Sequence, residues 1–151
     1  MVKKNTLIWQ NCSEGELAPR IKTWLDDLPK ADVVIFLEGP MGAGKSTFAR
    51  AFLSVVCPGQ LSKGSPTFPL VHEYLTSDHR TIYHIDLYRL KNAEELRESG
   101  IEAQVEEPGT VVLMEWGSLF SDEFKHLSHT KKVITVEIEM NEENRNFRIQ
   151  D

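Results

Sequence analysis

The chain has 151 residues, 17 Lys plus Arg against 23 Asp plus Glu, and 40% hydrophobic residues, the span of one domain (1–151) large enough to bury its own core. Its net charge of -6 is lopsided, residues 1–75 summing to +1 and residues 76–151 to -7, and its only adjacent basic pairs are Lys3-Lys4 and Lys131-Lys132, which disfavours tight unaided RNA binding. The purest apolar run, Val33 to Leu37, is far short of the about 20 residues a membrane-spanning helix needs, and Cys12 and Cys57 form no CxxC or Cys/His cluster, so a soluble, cytoplasmic protein without zinc or disulfides is expected.

Taken in order, Thr6 to Trp9 reads as a short strand, and Leu17, Ile21, Trp24, Leu25 and Leu28 recur at helical spacing, with Asn11 or Ser13 as the cap and Pro29 as the stop. Val33-Val34-Ile35-Phe36-Leu37 is short, continuous and β-branched, the pattern of a strand covered on both faces. Lys45 to Val56 carries Phe48, Ala51, Phe52, Val55 and Val56 on one helical face and stops at Pro58-Gly59. Phe68 to Tyr74 and Thr81 to Asp86 flank the turn residues 76–80 as an antiparallel hairpin. Asn92 to Ser99 predicts a helix closed by Gly100, and Val111 to Met114 a buried strand. Val133 to Met140 alternates so that Ile134, Val136, Ile138 and Met140 share one face; residues 141–145 turn, and Phe147 to Ile149 return. The fold class expected is α/β, with a mostly parallel central sheet, antiparallel additions and helices on both faces.

Between the buried strand and the second helix, Gly39-Pro40-Met41-Gly42-Ala43-Gly44-Lys45-Ser46 matches G-x-x-x-x-G-K-[ST], the P-loop pattern, followed by Thr47, which makes the expected α/β fold P-loop NTPase-like. Chance gives these four fixed positions in about one chain in a few hundred of this length, before the strand-loop-helix context is required. Glycines let successive N–H groups turn inward while the helix adds its positive end, which makes a phosphate cradle. Lys45 is expected at the β and γ phosphates, and the Ser46 hydroxyl on Mg²⁺. Asp86 and Glu115 each follow an apolar strand and so open onto the ligand crevice, where either carboxylate suits Mg²⁺ or the attacking water; spacing alone does not divide those roles. The chain lacks Asn-Lys-x-Asp, which disfavours a GTPase, and Arg80, Arg89 and Arg97 are scattered rather than grouped on a lid. A small-molecule kinase stays a second reading and a nucleotide-gated, non-hydrolysing binding module a third. His84 reads as a strand residue satisfied in the sheet, with no acid partner identifiable from sequence.

The P-loop from Gly39 to Thr47, Ser65-Pro66-Thr67-Phe68, Tyr83-His84-Ile85-Asp86-Leu87-Tyr88-Arg89-Leu90 and Glu115-Trp116, in that order, resemble the TsaE (YjeE) ATPases of bacterial tRNA threonylcarbamoyladenosine synthesis. The resemblance runs over nearly the whole chain. It implies Mg²⁺-dependent ATP hydrolysis that resets a complex of two partners, TsaB and TsaD, with tRNA reached only through them. Residue by residue, it implies Thr67 in a switch-like loop near the γ phosphate, Asp86 orienting or deprotonating water, and Glu115 joining Ser46 on Mg²⁺. Trp116 completes a Glu-Trp pair and reads equally well as packing. Asn11 falls near the adenine edge, and Asn144-Arg145 aligns with a nucleotide-contacting Gly-Arg turn, Asn standing where Gly is usual but tolerating left-handed backbone.

Overall fold

The computed structural model describes residues 5–60 and 70–151. Its strands are β1 (Thr6–Cys12), β2 (Val33–Glu38), β3 (Val71–Leu75), β4 (Thr81–Asp86), β5 (Val111–Glu115), β6 (Lys132–Asn141) and β7 (Asn144–Gln150); its helices are α1 (Glu14–Leu25), α2 (Lys45–Val56), α3 (Ala93–Ser99), α4 (Ile101–Glu106) and α5 (Ser121–Phe124). The strands form one sheet in the order β1-β7-β6-β2-β5-β4-β3. The four inner strands β6, β2, β5 and β4 are parallel, and β3, β7 and β1 pair antiparallel at the two sides. This is the expected mixed α/β, P-loop-like architecture. Its consequence for function is directional: β2, β4 and β5 all end at the same edge of the sheet, where ligands bind in such folds.

Alternation along the strands divides the core into two layers. Val33, Ile35, Leu37, Ile82, Val111, Leu113, Ile134 and Val136 face α1 and α2, whose Leu17, Ile21, Trp24, Phe48, Ala49, Phe52 and Leu53 close that side. Val34, Tyr83, Ile85, Val112 and Met114 face the other way, against Leu96 of α3, Ile101 and Val105 of α4, and Phe120, Phe124 and Leu127. An aromatic cluster ties the far side of the sheet to both helices of the first layer: Trp9 lies 6.2 Å from Trp24 and 5.8 Å from Phe147, and Phe48 stands 6.2 Å from Trp24 and 5.8 Å from Phe147, centroid to centroid. Such edge and tilted pairs add about 0.5–1.5 kcal/mol each beyond buried area.

The structure adjusts several sequence expectations. β1 continues to Cys12 through a bulge: between Trp9 and Cys12 the strand takes one residue more than β7 opposite, and Asn11 adopts φ +52° there. Asn11 is therefore a strand residue rather than a helix cap. Ser13 occupies the cap position of α1, yet its hydroxyl donates to Glu16 Oε1 at 2.9 Å instead of serving a backbone N–H. The same helix ends at Leu25, and residues 26–28 continue as tight turns, because Pro29 bars its predecessor from helical backbone. α3 starts as expected, Asn92 accepting from the Glu95 N–H at 2.9 Å. Gly100, at φ +78°, ends α3 and begins α4, a helix of six residues that the sequence reading lacks. The β6–β7 turn is a tight pair, Glu142-Glu143, with the left-handed position at Glu142 (φ +54°); Asn144 already lies in β7 opposite Asn141.

Candidate functional site

β2 delivers the chain to the loop 39–44 at the ligand edge, and local sterics dictate its glycines. A Cβ on Gly39 would lie 2.7 Å from the Ile138 carbonyl oxygen of β6, so no side chain fits where the loop crosses that strand. Gly44, at φ +108°, turns the chain from loop into α2, and its carbonyl accepts the first helical bond from the Phe48 N–H at 2.9 Å. The Ala43 N–H closes a turn on the Pro40 carbonyl at 3.0 Å. Arg145 on β7 braces the loop from the side, its Nε donating to the Ala43 carbonyl at 2.8 Å. Met41 stands at the exposed tip.

Lys45 opens α2 with only 5% of its surface exposed. Its Nζ donates back to the carbonyls of Gly39 at 2.6 Å and Pro40 at 2.9 Å, and lies 4.1 Å from the centre of the Trp116 ring. No ion pair of Lys45 occurs among the described residues. Burial pulls its ammonium below the ordinary lysine range, and the Glu115, Glu38 and Asp86 carboxylates oppose that pull. A buried cation resting on neutral carbonyls is a group that an incoming anion satisfies better than its present partners do.

The next residue faces a carboxylate. The Ser46 hydroxyl lies 3.0 Å from Oε1 and 3.1 Å from Oε2 of Glu115, the last residue of β5, which is 3% exposed. A hydroxyl and a carboxylate in contact, both hard oxygen donors beside a phosphate-shaped loop, fit Mg²⁺, which takes one or two protein oxygens and completes its shell with phosphate oxygens and water. Asp86 ends β4 directly beside Glu115 in register. It is exposed, and its Oδ1 accepts from the Tyr88 N–H at 3.0 Å, which braces the turn after β4. Trp116 sits at φ +63°, turning the chain so that its ring lies between Lys45 and Tyr88, whose ring centre is 5.0 Å away.

Residues 13–148 match the family model described as "Threonylcarbamoyl adenosine biosynthesis protein TsaE". The chain belongs to the TsaE family. The tRNA threonylcarbamoyladenosine biosynthesis protein TsaE of Rickettsia felis is 40% identical over 133 residues, covering 88% of this chain and 72% of that one. Its namesake from Haemophilus influenzae is 39% identical over 84 residues, 56% of this chain and 51% of that one. Among solved structures, Bacillus subtilis YdiB superposes with a TM-score of 0.64 over 99% of this chain and 88% of that one; at 21% identity the likeness concerns the fold.

For this TsaE-family chain the structure gathers Gly39, Met41, Gly42, Ala43, Gly44, Lys45, Ser46 and Thr47 in one loop and helix start, with Glu115 against Ser46, Asp86 level with Glu115, and Arg145 on the loop's flank. Asn11 stands with Arg145's neighbours: its Oδ1 accepts from Asn144 Nδ2 at 3.0 Å and from Asn141 Nδ2 at 3.4 Å, and its N–H donates to Asn146 Oδ1 at 2.7 Å. Thr67, with the whole Ser65-Pro66-Thr67-Phe68 motif, lies outside the described residues. His84 is the correction. The sequence reading found no acid for it, yet its Nε2 stands 2.7 Å from Oε2 of Glu115. The signal was alternation: His84 shares a strand face with Asp86, and Asp86 is level with Glu115 once β4 and β5 are paired.

Proposed function

We propose that this chain is a Mg²⁺-dependent ATPase of tRNA threonylcarbamoyladenosine biosynthesis, working in the cytoplasm on a complex of TsaB- and TsaD-type partners and meeting tRNA only through them. One observation carries the ATPase reading: a buried lysine without a carboxylate ion-pair partner among the described residues lies at the mouth of a P-loop, beside a serine in contact with a buried carboxylate. The place in tRNA modification rests on family membership, since the TsaE relatives bear that biosynthetic name.

In this reading the loop N–H groups of residues 39–44 and the start of α2 hold the phosphates, and Lys45 leaves the Gly39 and Pro40 carbonyls for the β and γ phosphate oxygens. Ser46 and Glu115 hold Mg²⁺, which when bound neutralises charge building on the transferred phosphoryl group. Asp86 keeps Oδ1 on the Tyr88 N–H, leaving Oδ2 to orient or deprotonate the attacking water. Thr67 acts at the γ phosphate, and Asn11 and Arg145 flank the nucleoside. The acidic C-terminal half accords with a protein that acts through protein partners rather than on RNA phosphates.

The test follows γ-labelled ATP with the purified protein and Mg²⁺. Nucleotide binding in calorimetry, with label appearing as inorganic phosphate, is the expected result. Label transferred to a small-molecule acceptor replaces this reading with a kinase, and absence of nucleotide binding overturns it.

A further inference from the structure

A histidine, a carboxylate and a hydroxyl from three elements meet at the ligand edge: His84 Nε2 lies 2.7 Å from Glu115 Oε2, and Ser46 Oγ lies 3.0 Å from Glu115 Oε1. We propose that His84 is a positioning residue that fixes the Glu115 carboxylate for the divalent cation accompanying the nucleotide. The inference rests on the Mg²⁺-nucleotide reading above and extends it to a residue for which that reading has no role.

The strands place His84 for this. On β4, Ile82, His84 and Asp86 point to the α2 side, and the parallel register sets His84 beside Leu113 and Asp86 beside Glu115. His84 and Glu115 are thus diagonal neighbours on one face, a separation that two long side chains span. Both are shielded from water, at 14% and 4% side-chain exposure. An ionised carboxylate only accepts, so Nε2 carries the proton and donates.

The two donors on Glu115 differ in what binding asks of them. Ser46 has one hydroxyl hydrogen, spent on Glu115, and two lone pairs, one of which it can present to a cation while that bond is kept. His84 is the second side-chain donor on Glu115 among the described residues and, unlike Ser46, has no cation to ligate. It occupies Oε2 and leaves Oε1, the oxygen nearer Ser46, for the cation. Without it a buried carboxylate loses its second partner and is free to rotate about its last bond, which weakens a cation site without touching the phosphate loop.

The experiment uses Mn²⁺ as the probe and ADP as the nucleotide, titrated by electron paramagnetic resonance and calorimetry on the full chain. His84→Phe keeps the ring's bulk and removes the donor; His84→Gln restores an N–H near the Nε2 position; circular dichroism checks that both are folded. The expected result is Mn²⁺ affinity weakened about 10-fold to 100-fold in His84→Phe and within about threefold of the wild type in His84→Gln, with ADP affinity in EDTA unchanged in both. Unchanged Mn²⁺ affinity in His84→Phe overturns the proposal, and so does an equal loss in His84→Gln, which would assign the effect to ring packing. A wild type that binds neither ADP nor Mn²⁺ with ADP instead brings down the nucleotide reading itself.

Discussion

Two lysines are buried at opposite ends of the same parallel strands, and they are held in opposite ways. At the foot, where β2, β5 and β6 begin, Lys131 is 6% exposed and donates to Asp32 Oδ1 at 3.0 Å, the Glu107 carbonyl at 2.5 Å and Thr110 Oγ1 at 3.5 Å. Asp32 accepts a further bond from the Gly109 N–H at 2.9 Å, and its own carbonyl takes the Lys132 N–H at 2.8 Å. That end is a closed knot in which each ammonium hydrogen meets an acceptor and one acceptor is a counter-ion. At the head, Lys45 is 5% exposed but rests on two neutral carbonyls and an aromatic face. The lesson is that burial of a charge does not reveal its purpose; the ownership of its counter-charge does. Lys131 is paired within the fold, whereas Lys45 has no ion-pair partner among the described residues, and the proposed triphosphate would bring that counter-charge.

Exchanging or removing these groups breaks the contrast if it is wrong. The largest effect belongs to Lys45→Ala, which is expected to lower ATP turnover by about 10²-fold or more and to weaken ATP binding while leaving the melting temperature nearly unchanged, as read by phosphate release, calorimetry and thermal unfolding. Asp86→Asn comes next: if the side chain serves the water and not the phosphates, as proposed, turnover falls by about 10² to 10⁴ with ATP affinity kept. Retained turnover would remove Asp86 from that role. Lys131→Met should do the reverse of both, costing about 1–3 kcal/mol of stability through the acceptors it leaves unpaired, moderated by the half-exposed position of Asp32, with nucleotide binding untouched. Denaturant unfolding measures it.

The smallest effect sharpens the picture of the foot. Tyr83 donates its hydroxyl to Glu107 Oε2 at 2.6 Å, and this bond, with burial and the charges of Glu107 and Glu73, pushes the phenol up to about 12. A raised value means that the folded state holds the proton more tightly. The stabilisation is therefore complete below the unfolded tyrosine value of about 10 and is lost as pH rises through about 12. Between those limits the wild type should lose stability faster than Tyr83→Phe, and the ultraviolet titration of the variant should lack the highest phenolic step.

What was legible in the sequence follows from the range over which its signals act. α2 and β4 have the bounds their patterns predict, and the P-loop between β2 and α2 is read from the spacing of four fixed positions, because each signal lies within one short stretch of chain. α4 and the helical turns over 117–129 escaped because each is only a few residues long. In the latter stretch Phe120, Phe124 and Leu127 nevertheless repeat at four and three residues and are all buried. The contact of His84 with Glu115 escaped for a different reason: it requires that β4 lie beside β5, a fact of strand order that no local pattern encodes. Residues of one loop were found together by spacing, whereas Ser46 and Glu115 were joined through the family resemblance and His84 was left without its acid.

The most direct test of the contrast between the two lysines is phosphate release from Mg²⁺-ATP by the wild type, Lys45→Ala and Lys131→Met, side by side at a temperature where all three are folded, with and without TsaB- and TsaD-type partners. The account predicts release by the wild type that rises with the partners, the same behaviour in Lys131→Met, and loss in Lys45→Ala. Equal release by Lys45→Ala and the wild type would contradict it.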